Sequence, residues 1–158
     1  FAVGDRVFGI DGKGMGAYAE YIAVDERSVA AKPAAVSHGE AAAVPCAGLT
    51  AWQAFTRDSL VREGSSVTVI GASGGVGSFA VQIARLLGAR PVSYPVRPDR
   101  RVPVDPDDVI DRLNSTTRLV VLCSPSNPTG AVTSRADLAR LADRTSQHRQ
   151  RPSSNFGS

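Results

Sequence analysis

The stretch VTVIGASGGVGSFAVQIARLL, residues 67–87, decides the fold. Its first four residues form a short apolar run bounded by turn residues, which predicts a buried strand of a parallel sheet. A glycine-rich turn follows, and Val76 to Leu87 then predicts a helix with an apolar face. Glycine permits a tight turn, close packing of the helix on the strand and close approach of the backbone to a pyrophosphate. The free N–H groups and the positive dipole end of the helix favour phosphate groups.

The glycine spacing alone is a weak signal. The turn reads Ala72-Ser73-Gly74-Gly75-Val76-Gly77, so alanine stands at the first glycine position of the G-x-G-x-x-G pattern. A lone pattern of this kind is weak evidence for a nucleotide site. A tight strand–helix connection that binds no ligand is the alternative.

Further α and β signals follow this stretch. A strand is predicted from Pro91 to Val96, and Asp105-Pro106-Asp107-Asp108 predicts a helix start for a helix that ends near Asn114. Leu119 to Cys123 predicts another buried strand, and Ser134 opens a last amphipathic helix. From residue 65 the order is β-α-β-α-β-α, which predicts a parallel sheet with right-handed crossovers.

The preceding part carries weaker signals. Residues 1–31 show short β patterns, among which the polar–apolar alternation from Ala17 to Val24 predicts a half-exposed strand. Ser37 and Glu40 form a capping box that opens a short alanine-rich helix. A second helix is predicted from about Gly48 to Asp58.

Composition narrows the classes of function. The chain has 158 residues, 42% hydrophobic and 21% charged, as expected of a soluble globular domain. Its net charge of +3 comes almost wholly from dispersed arginines, so we expect no nucleic-acid partner. No apolar run reaches the roughly 18 residues of a membrane helix, so we expect no membrane partner. Cys46 and Cys123 lack CxxC spacing, which indicates a reducing compartment and a cytoplasmic location.

Several segments together resemble the medium-chain dehydrogenase/reductases, specifically the quinone oxidoreductase-like members. They are VGDRVFG, GAYAEYIAV, KPAAVSHGEAAAVPCAGLTAWQAF and VTVIGASGGVGSFAVQIARLLGA, and they cover residues 1 to about 90. The resemblance implies a chaperonin-10-like catalytic domain followed by a Rossmann domain that binds NAD(P)H and passes hydride to a quinone, enone or alcohol-level substrate. It places Thr50 near the nicotinamide and the glycine turn on the pyrophosphate. It assigns no catalytic residue. The residues of that turn are Ala72, Ser73, Gly74, Gly75, Val76 and Gly77.

Zinc is not expected. In zinc-dependent relatives a cysteine at the position of Cys46 is a metal ligand, but a catalytic zinc needs three protein ligands and no partners for this cysteine are evident. We interpret Cys46 as a small buried residue beside Ala47. His38 is interpreted as a surface residue at the helix entrance.

A second resemblance begins after Ala89. RVPVDPDDVIDRL, TRLVVLCSPSNPTGAV and SRADLARLAD resemble the fold-type I pyridoxal-phosphate aminotransferases over about residues 91–143. The resemblance implies that Asn127 would bond the phenolic oxygen of that cofactor. The chain has no lysine after Lys32 to form a Schiff base, so we do not expect pyridoxal phosphate. The alternative interpretation of SPSNPTG is a turn that ends a strand.

We therefore interpret the chain as a fusion joined near residues 88–90. The stretch after the junction lacks the acid that binds an adenosine ribose, whereas Ser93, Arg97 and Arg100 would suit a 2′-phosphate, which favours NADPH over NADH. The alternative is that these arginines are solvated residues of a proline-rich connector.

The predicted fold class is α/β, a partial Rossmann-like parallel sheet preceded by a β-rich remnant of a chaperonin-10-like domain. The remnant comprises residues 1–36, the partial Rossmann-like domain residues 37–144, and a disordered tail residues 145–158. Within the second of these, residues 37–90 are dehydrogenase-like and residues 91–144 aminotransferase-like.

The favoured function is a fragment of an NAD(P)H-dependent quinone or enone reductase with impaired or no activity. The first alternative is a non-catalytic α/β fusion domain, and the less favoured one is an aminotransferase fragment. We expect a small-molecule substrate and self-association through unpaired strand edges.

Overall fold

The computed structural model describes residues 1–11, 16–57, 60–94, 104–126 and 130–150. For residues 148–150 it describes the backbone alone. Two compact units are present, Phe1–Leu49 and Thr50–Ser158. No helix in the described ranges is both long and apolar enough to cross a membrane.

The first unit contains a small antiparallel sheet. Strand β1 (Val7–Gly9) pairs with β2 (Val29–Ala31). The predicted strand from Ala17 to Val24 is absent, and that prediction was wrong. Tyr18 and Tyr21 are 109% and 90% exposed. An alternating pattern yields a strand only where a neighbour completes its backbone hydrogen bonds, and β1 pairs with a later segment instead.

A single helix, α1, spans His38–Thr56 where two were predicted. It continues through Pro45 and Gly48, because the surrounding alanines have the highest helix propensity. Asp58, the predicted end, lies outside the described residues. The capping box is confirmed. Ser37 N donates to Glu40 Oε2 at 2.9 Å, and Glu40 N donates to Ser37 Oγ at 3.2 Å.

The second unit alternates strands and helices in the predicted order. Its elements are β3 (Ser66–Ile70), α2 (Gly75–Leu86), β4 (Arg90–Tyr94), α3 (Pro106–Ile110), β5 (Thr117–Val121) and α4 (Arg135–Gln150). The three strands are parallel in the order β4-β3-β5. The unit is thus a mixed α/β structure with a parallel three-stranded sheet, compatible with a Rossmann-like fragment.

Three element boundaries differ from the prediction. Helix α3 ends at Ile110, because Asn114 forms a turn in which its Oδ1 accepts from Thr116 N at 2.9 Å. Strand β5 begins and ends two residues before the predicted strand. Helix α4 continues to Gln150, so the disorder predicted from Thr145 onward was wrong for residues 145–150. Thr145 Oγ1 donates to Leu141 O at 2.7 Å, so this polar side chain forms a hydrogen bond with the helix backbone four residues earlier.

Helices cover both faces of the sheet. On one face Val67 and Val69 pack in a cluster with Phe55 of α1 and Ala80 of α2. On the other face Ile70 packs in a second cluster, with Tyr94, Val109 and Leu141. Two buried faces explain why the residues that follow Ser66 in β3 are apolar with one exception.

Thr68 is the exception in β3. It is fully buried, and its Oγ1 has no hydrogen-bond partner. Because side chains alternate along a strand, Thr68 lies on the face of Ile70.

Candidate functional site

The candidate site lies at the carboxyl edge of the sheet. Because the three strands are parallel, the connections that follow them emerge at this edge. From β3 the chain passes to β4 on one side and then to β5 on the other. The strand order therefore reverses between β3 and β5, which is the type of position where α/β sheets bind ligands.

The glycine turn connects β3 to α2 by a close backbone packing. Gly71 has a φ of +76°, a conformation that favours glycine. Gly74 N donates to Gly71 O at 3.0 Å. A Cβ at Gly77 would lie 2.1 Å from Gly71 O and 2.8 Å from Ala72 Cα, so no side chain fits there. Alanine is tolerated at position 72 because the left-handed residue is Gly71, one position earlier.

The N-terminus of α2 suits an anion. Gly74 is the N-cap and supplies no side-chain hydrogen bond, and the first turn contains no acid. Ser73, Gly74 and Gly75 are exposed. The first N–H groups of the helix have no intrahelical acceptor, and the helix dipole adds positive potential. Backbone N–H donors of this kind are suited to a pyrophosphate.

Thr50 lies on α1 and is exposed. The adjacent Ala51 is fully buried in the cluster against which Ala72 and Val76 pack. This part of α1 therefore lies on the same face of the sheet as the glycine turn. A contact of Thr50 with a cofactor stays a prediction.

Of the three residues predicted to suit a 2′-phosphate, the structure describes Ser93 alone, near the end of β4. Ser93 is exposed and pairs in register with Val69. Tyr94 is buried, and its Oη accepts from Asp105 N at 3.2 Å. Arg97 and Arg100 lie outside the described residues. The interpretation of this segment as a 2′-phosphate site therefore stays a prediction.

The turn after β5 lies at the same carboxyl edge of the sheet, on the side of β3 opposite to β4. Ser126 N donates to Ala131 O at 2.8 Å, and Gly130 N donates to Ser126 O at 2.7 Å. Gly130 has a φ of +69°, as expected of a glycine that ends a strand turn. Asn127 lies outside the described residues, so its predicted role stays a prediction.

Cys46 is exposed, so its interpretation as a buried residue was wrong. Five residues of α1 are buried and recur at helical spacing, and Cys46 directly follows one of them, about 100° around the helix. They are Ala41, Pro45, Gly48, Ala51 and Phe55. His38 is exposed at the first position of α1, as predicted. In the part of the chain that the structure describes, no three His, Cys, Asp or Glu side chains form a group that could hold a metal.

Two grooves in the second unit were not predicted from the sequence. One lies between β5 and α4, and the other lies between α3 and α4, where Arg140 and Asp107 form an ion pair at 2.5 Å. No residue of the glycine turn lines either groove. Their positions depend on which strand is the edge of the sheet, and local sequence patterns do not contain that information.

The chain is similar to oxidoreductases. It is 42% identical over 98 residues to a 2-methylene-furan-3-one reductase of Solanum lycopersicum, a match that covers 57% of this chain and 25% of the relative. A crystallised alcohol dehydrogenase superfamily protein from Novosphingobium aromaticivorans matches with a TM-score of 0.56 and 41% identity, over 59% of this chain and 29% of that one. The quinone oxidoreductase of Thermus thermophilus, whose structures include its complex with NADPH, matches with a TM-score of 0.54 and 36% identity, over 61% and 32%.

The chain thus spans between a quarter and a third of the length of these proteins. The family model described as aminotransferase class I and II matches residues 78–155. This match begins within α2, so it overlaps the end of the dehydrogenase-like part. An overlap is expected where both families place a helix followed by a strand. Residues 1 to about 90 therefore resemble the quinone oxidoreductase-like members of the medium-chain dehydrogenase/reductase family, and the chain continues into a segment that resembles the aminotransferases.

Proposed function

We propose that this chain binds a nicotinamide dinucleotide at the glycine turn, as part of an NAD(P)H-dependent oxidoreductase for quinones or enones. The observation that carries the proposal is the turn itself. Its backbone packs too closely for a Cβ at Gly77, and it leads into an uncapped helix N-terminus at the carboxyl edge of the central strand. The similarity to a quinone oxidoreductase that has been solved with NADPH supports the proposal.

The residues of the turn would hold the cofactor by its pyrophosphate. The backbone N–H groups of Gly75 and Val76 would donate to the phosphate oxygens, beside Ala72, Ser73 and Gly74. Gly77 lets α2 approach the turn, which brings those N–H groups to the edge of the sheet. The nicotinamide supplies hydride when it is bound.

Residues outside the glycine turn would select and orient the cofactor. Thr50 would lie at the nicotinamide end. Ser93 and Arg97 would bind a 2′-phosphate, so NADPH is preferred over NADH. We assign no catalytic side chain and expect neither zinc nor pyridoxal phosphate.

Activity of this chain is proposed to be impaired or absent. We interpret residues 1–36 as the remnant of a chaperonin-10-like domain and residues 37–144 as the partial Rossmann-like domain. Within its described residues the first unit contains one sheet, of two three-residue strands. Such a small sheet offers little support for positioning a substrate against a nicotinamide. Neither Cys46 nor Cys123 forms a disulfide bond, which suits the proposed cytoplasmic location.

Titration of the folded chain with NADPH and with NADH, followed by nicotinamide fluorescence, tests the proposal. We expect saturable binding of both, tighter for NADPH, and a higher melting temperature in the presence of either. Circular dichroism establishes that the sample is folded. No saturable signal from a folded sample would refute cofactor binding.

A pair of charge variants locates the site. Ser73→Asp adds a carboxylate at the exposed turn, and Gln82→Glu adds the same charge on an exposed position of α2, two helical turns away. Repulsion of the pyrophosphate should weaken binding by about tenfold in Ser73→Asp and little in Gln82→Glu. Equal effects in the two variants would contradict the location. Steady-state reduction of a quinone well above background would contradict the proposed impairment alone.

A further inference from the structure

An apolar groove runs between strand β5 and helix α4. It has a volume of about 470 Å³. The helix lines it with residues that recur every three or four positions and therefore share one face of α4. They are Leu138, Leu141, Ala142, Thr145 and Ser146. The groove thus follows about two turns of α4 towards the C-terminal end of that helix.

The apolar side chains of this groove are incompletely covered. Val120 and Leu122 line it from the strand side, and both are half-buried. Leu138 is 39% exposed, although Leu141 in the next turn is buried. A single exposed leucine needs no explanation, but apolar side chains that share one concave surface indicate a binding site. The groove can therefore accept one further apolar side chain.

The chain continues past α4 as residues 151–158, which lie outside the described residues. Their sequence is RPSSNFGS. Phe156 is the only large apolar residue among them, and the residues on either side of it are small or polar. An aromatic ring removes a large apolar area from water when it is buried, and aromatic residues are enriched in contact surfaces. Phe156 is therefore the residue of this segment that is suited to an apolar groove.

Phe156 is close enough in the chain to reach the groove. Helix α4 ends at Gln150, and Pro152 disfavours its continuation. The axial distance from Gln150 back to Ala142 is about 12 Å at 1.5 Å per residue. The six residues from Gln150 to Phe156 span up to about 20 Å when extended, and about 13 Å remain if two of them form a turn. The ring can therefore lie level with Leu141 and Ala142.

We propose that residues 151–158 fold back along α4 and that the ring of Phe156 occupies the β5–α4 groove. The ring packs against Leu141 and Ala142 of the helix and Val120 of the strand. The polar residues 153–155 then lie beside Thr145, at the end of the groove where the helix lining is polar. The segment covers its own apolar surface and leaves its serines and asparagine in water.

The covalent connection favours this segment over an occupant from another molecule. A group held by a short flexible connection has an effective concentration on the order of 1 mM. A second copy supplies the same ring at no more than the concentration of the protein in the sample. The contact within one chain is therefore favoured in dilute solution. Because a single ring forms it, the contact opens and closes without unfolding of the unit.

Methyl NMR of the full chain with labelled leucines tests the contact. The ring current of a phenylalanine shifts the resonances of methyl groups that it touches, so Phe156→Ala should move those of Leu138 and Leu141. Leu86 is 78% exposed on α2 and does not line the groove, so its methyl resonances are the control and should stay in place. Unchanged resonances of both groove leucines would overturn the proposal. A shift that depends on protein concentration would assign the ring to a second copy, which would overturn it as well.

Two cysteine traps test the location of the segment. In a Cys46→Ser, Cys123→Ser background, Gly157→Cys is combined with either Ala142→Cys or Asp143→Cys. Positions 142 and 143 are adjacent and both exposed, but of the two only Ala142 lines this groove. The connection to position 157 is almost equal in length for both. On mild oxidation the pair with Ala142→Cys should form its intrachain disulfide about tenfold faster than the pair with Asp143→Cys.

Adding Phe156→Ser to both traps shows whether the ring causes the difference. Without the ring the two pairs should form their disulfides at similar rates, because the length of the connection is unchanged. Equal rates in the presence of Phe156, or a difference of the same size in its absence, would overturn the proposal.

Discussion

Gly77→Ala tests the close packing of the glycine turn. The added methyl carbon would start 2.1 Å from Gly71 O and 2.8 Å from Ala72 Cα. Both neighbours are backbone atoms, so the start of α2 and the turn must separate by about 1 Å to restore ordinary contact. Overpacking of this kind costs up to about 3 kcal/mol, and the better helix propensity of alanine returns about 1 kcal/mol.

The expected net loss is therefore about 2 kcal/mol, or a fall in melting temperature of roughly 8 °C at about 4 °C per kcal/mol. Trp52, the only tryptophan, lies in the unit that contains the turn, and its fluorescence during thermal and urea unfolding measures the effect. Gly74→Ala is the matched control, because its Cβ would meet only Gly71 O at 3.4 Å. If the two variants differ in stability by less than about 0.5 kcal/mol, the steric reasoning is refuted.

Three further predictions concern other contacts. Thr68→Val removes the buried hydroxyl that has no partner, so the free energy of unfolding should rise by about 1 kcal/mol in urea titrations. Tyr94→Phe removes the acceptor for Asp105 N, and the same titrations should show a loss of about 1 kcal/mol. The Ser37 hydroxyl and its backbone N–H hold the pKa of Glu40 below its usual value of 4.5, which NMR titration should detect. Because that pKa is depressed on folding, the stability that ionised Glu40 contributes over Glu40→Gln should be complete above pH 4.5 and vanish as the pH falls through the lowered pKa.

The features that the sequence predicted best are local ones. The capping box of Ser37 and Glu40 and the strand–turn–helix around Gly74 depend on residues within a few positions of each other. Local hydrogen bonds and helical periodicity determine such features, so the sequence pattern is sufficient. The close packing expected of the last glycine in the turn was likewise confirmed at Gly77.

The features that the sequence missed depend on distant partners. Ala17 to Val24 has a strand pattern, but β1 pairs with Val29–Ala31 instead. Cys46 lies beside the buried positions of α1, and only the observed packing of that helix shows which face is covered. The groove beside β5 could not be predicted, because it requires knowing that β3 is the central strand.

The hydrogen bond from Asp105 N to Tyr94 Oη also indicates where residues can be inserted into the chain. It joins the two ends of residues 95–103 through side-chain and backbone atoms that both belong to the folded unit. Arg112 adds to this closure, since its guanidinium carbon lies 5.4 Å from the centre of the Tyr94 ring. The ends are thus held by contacts outside residues 95–103, and doubling the length of chain between two fixed ends costs only about 0.6 kcal/mol of closure entropy. The connector is therefore a place where residues, or an inserted reporter domain, can be added with little loss of stability.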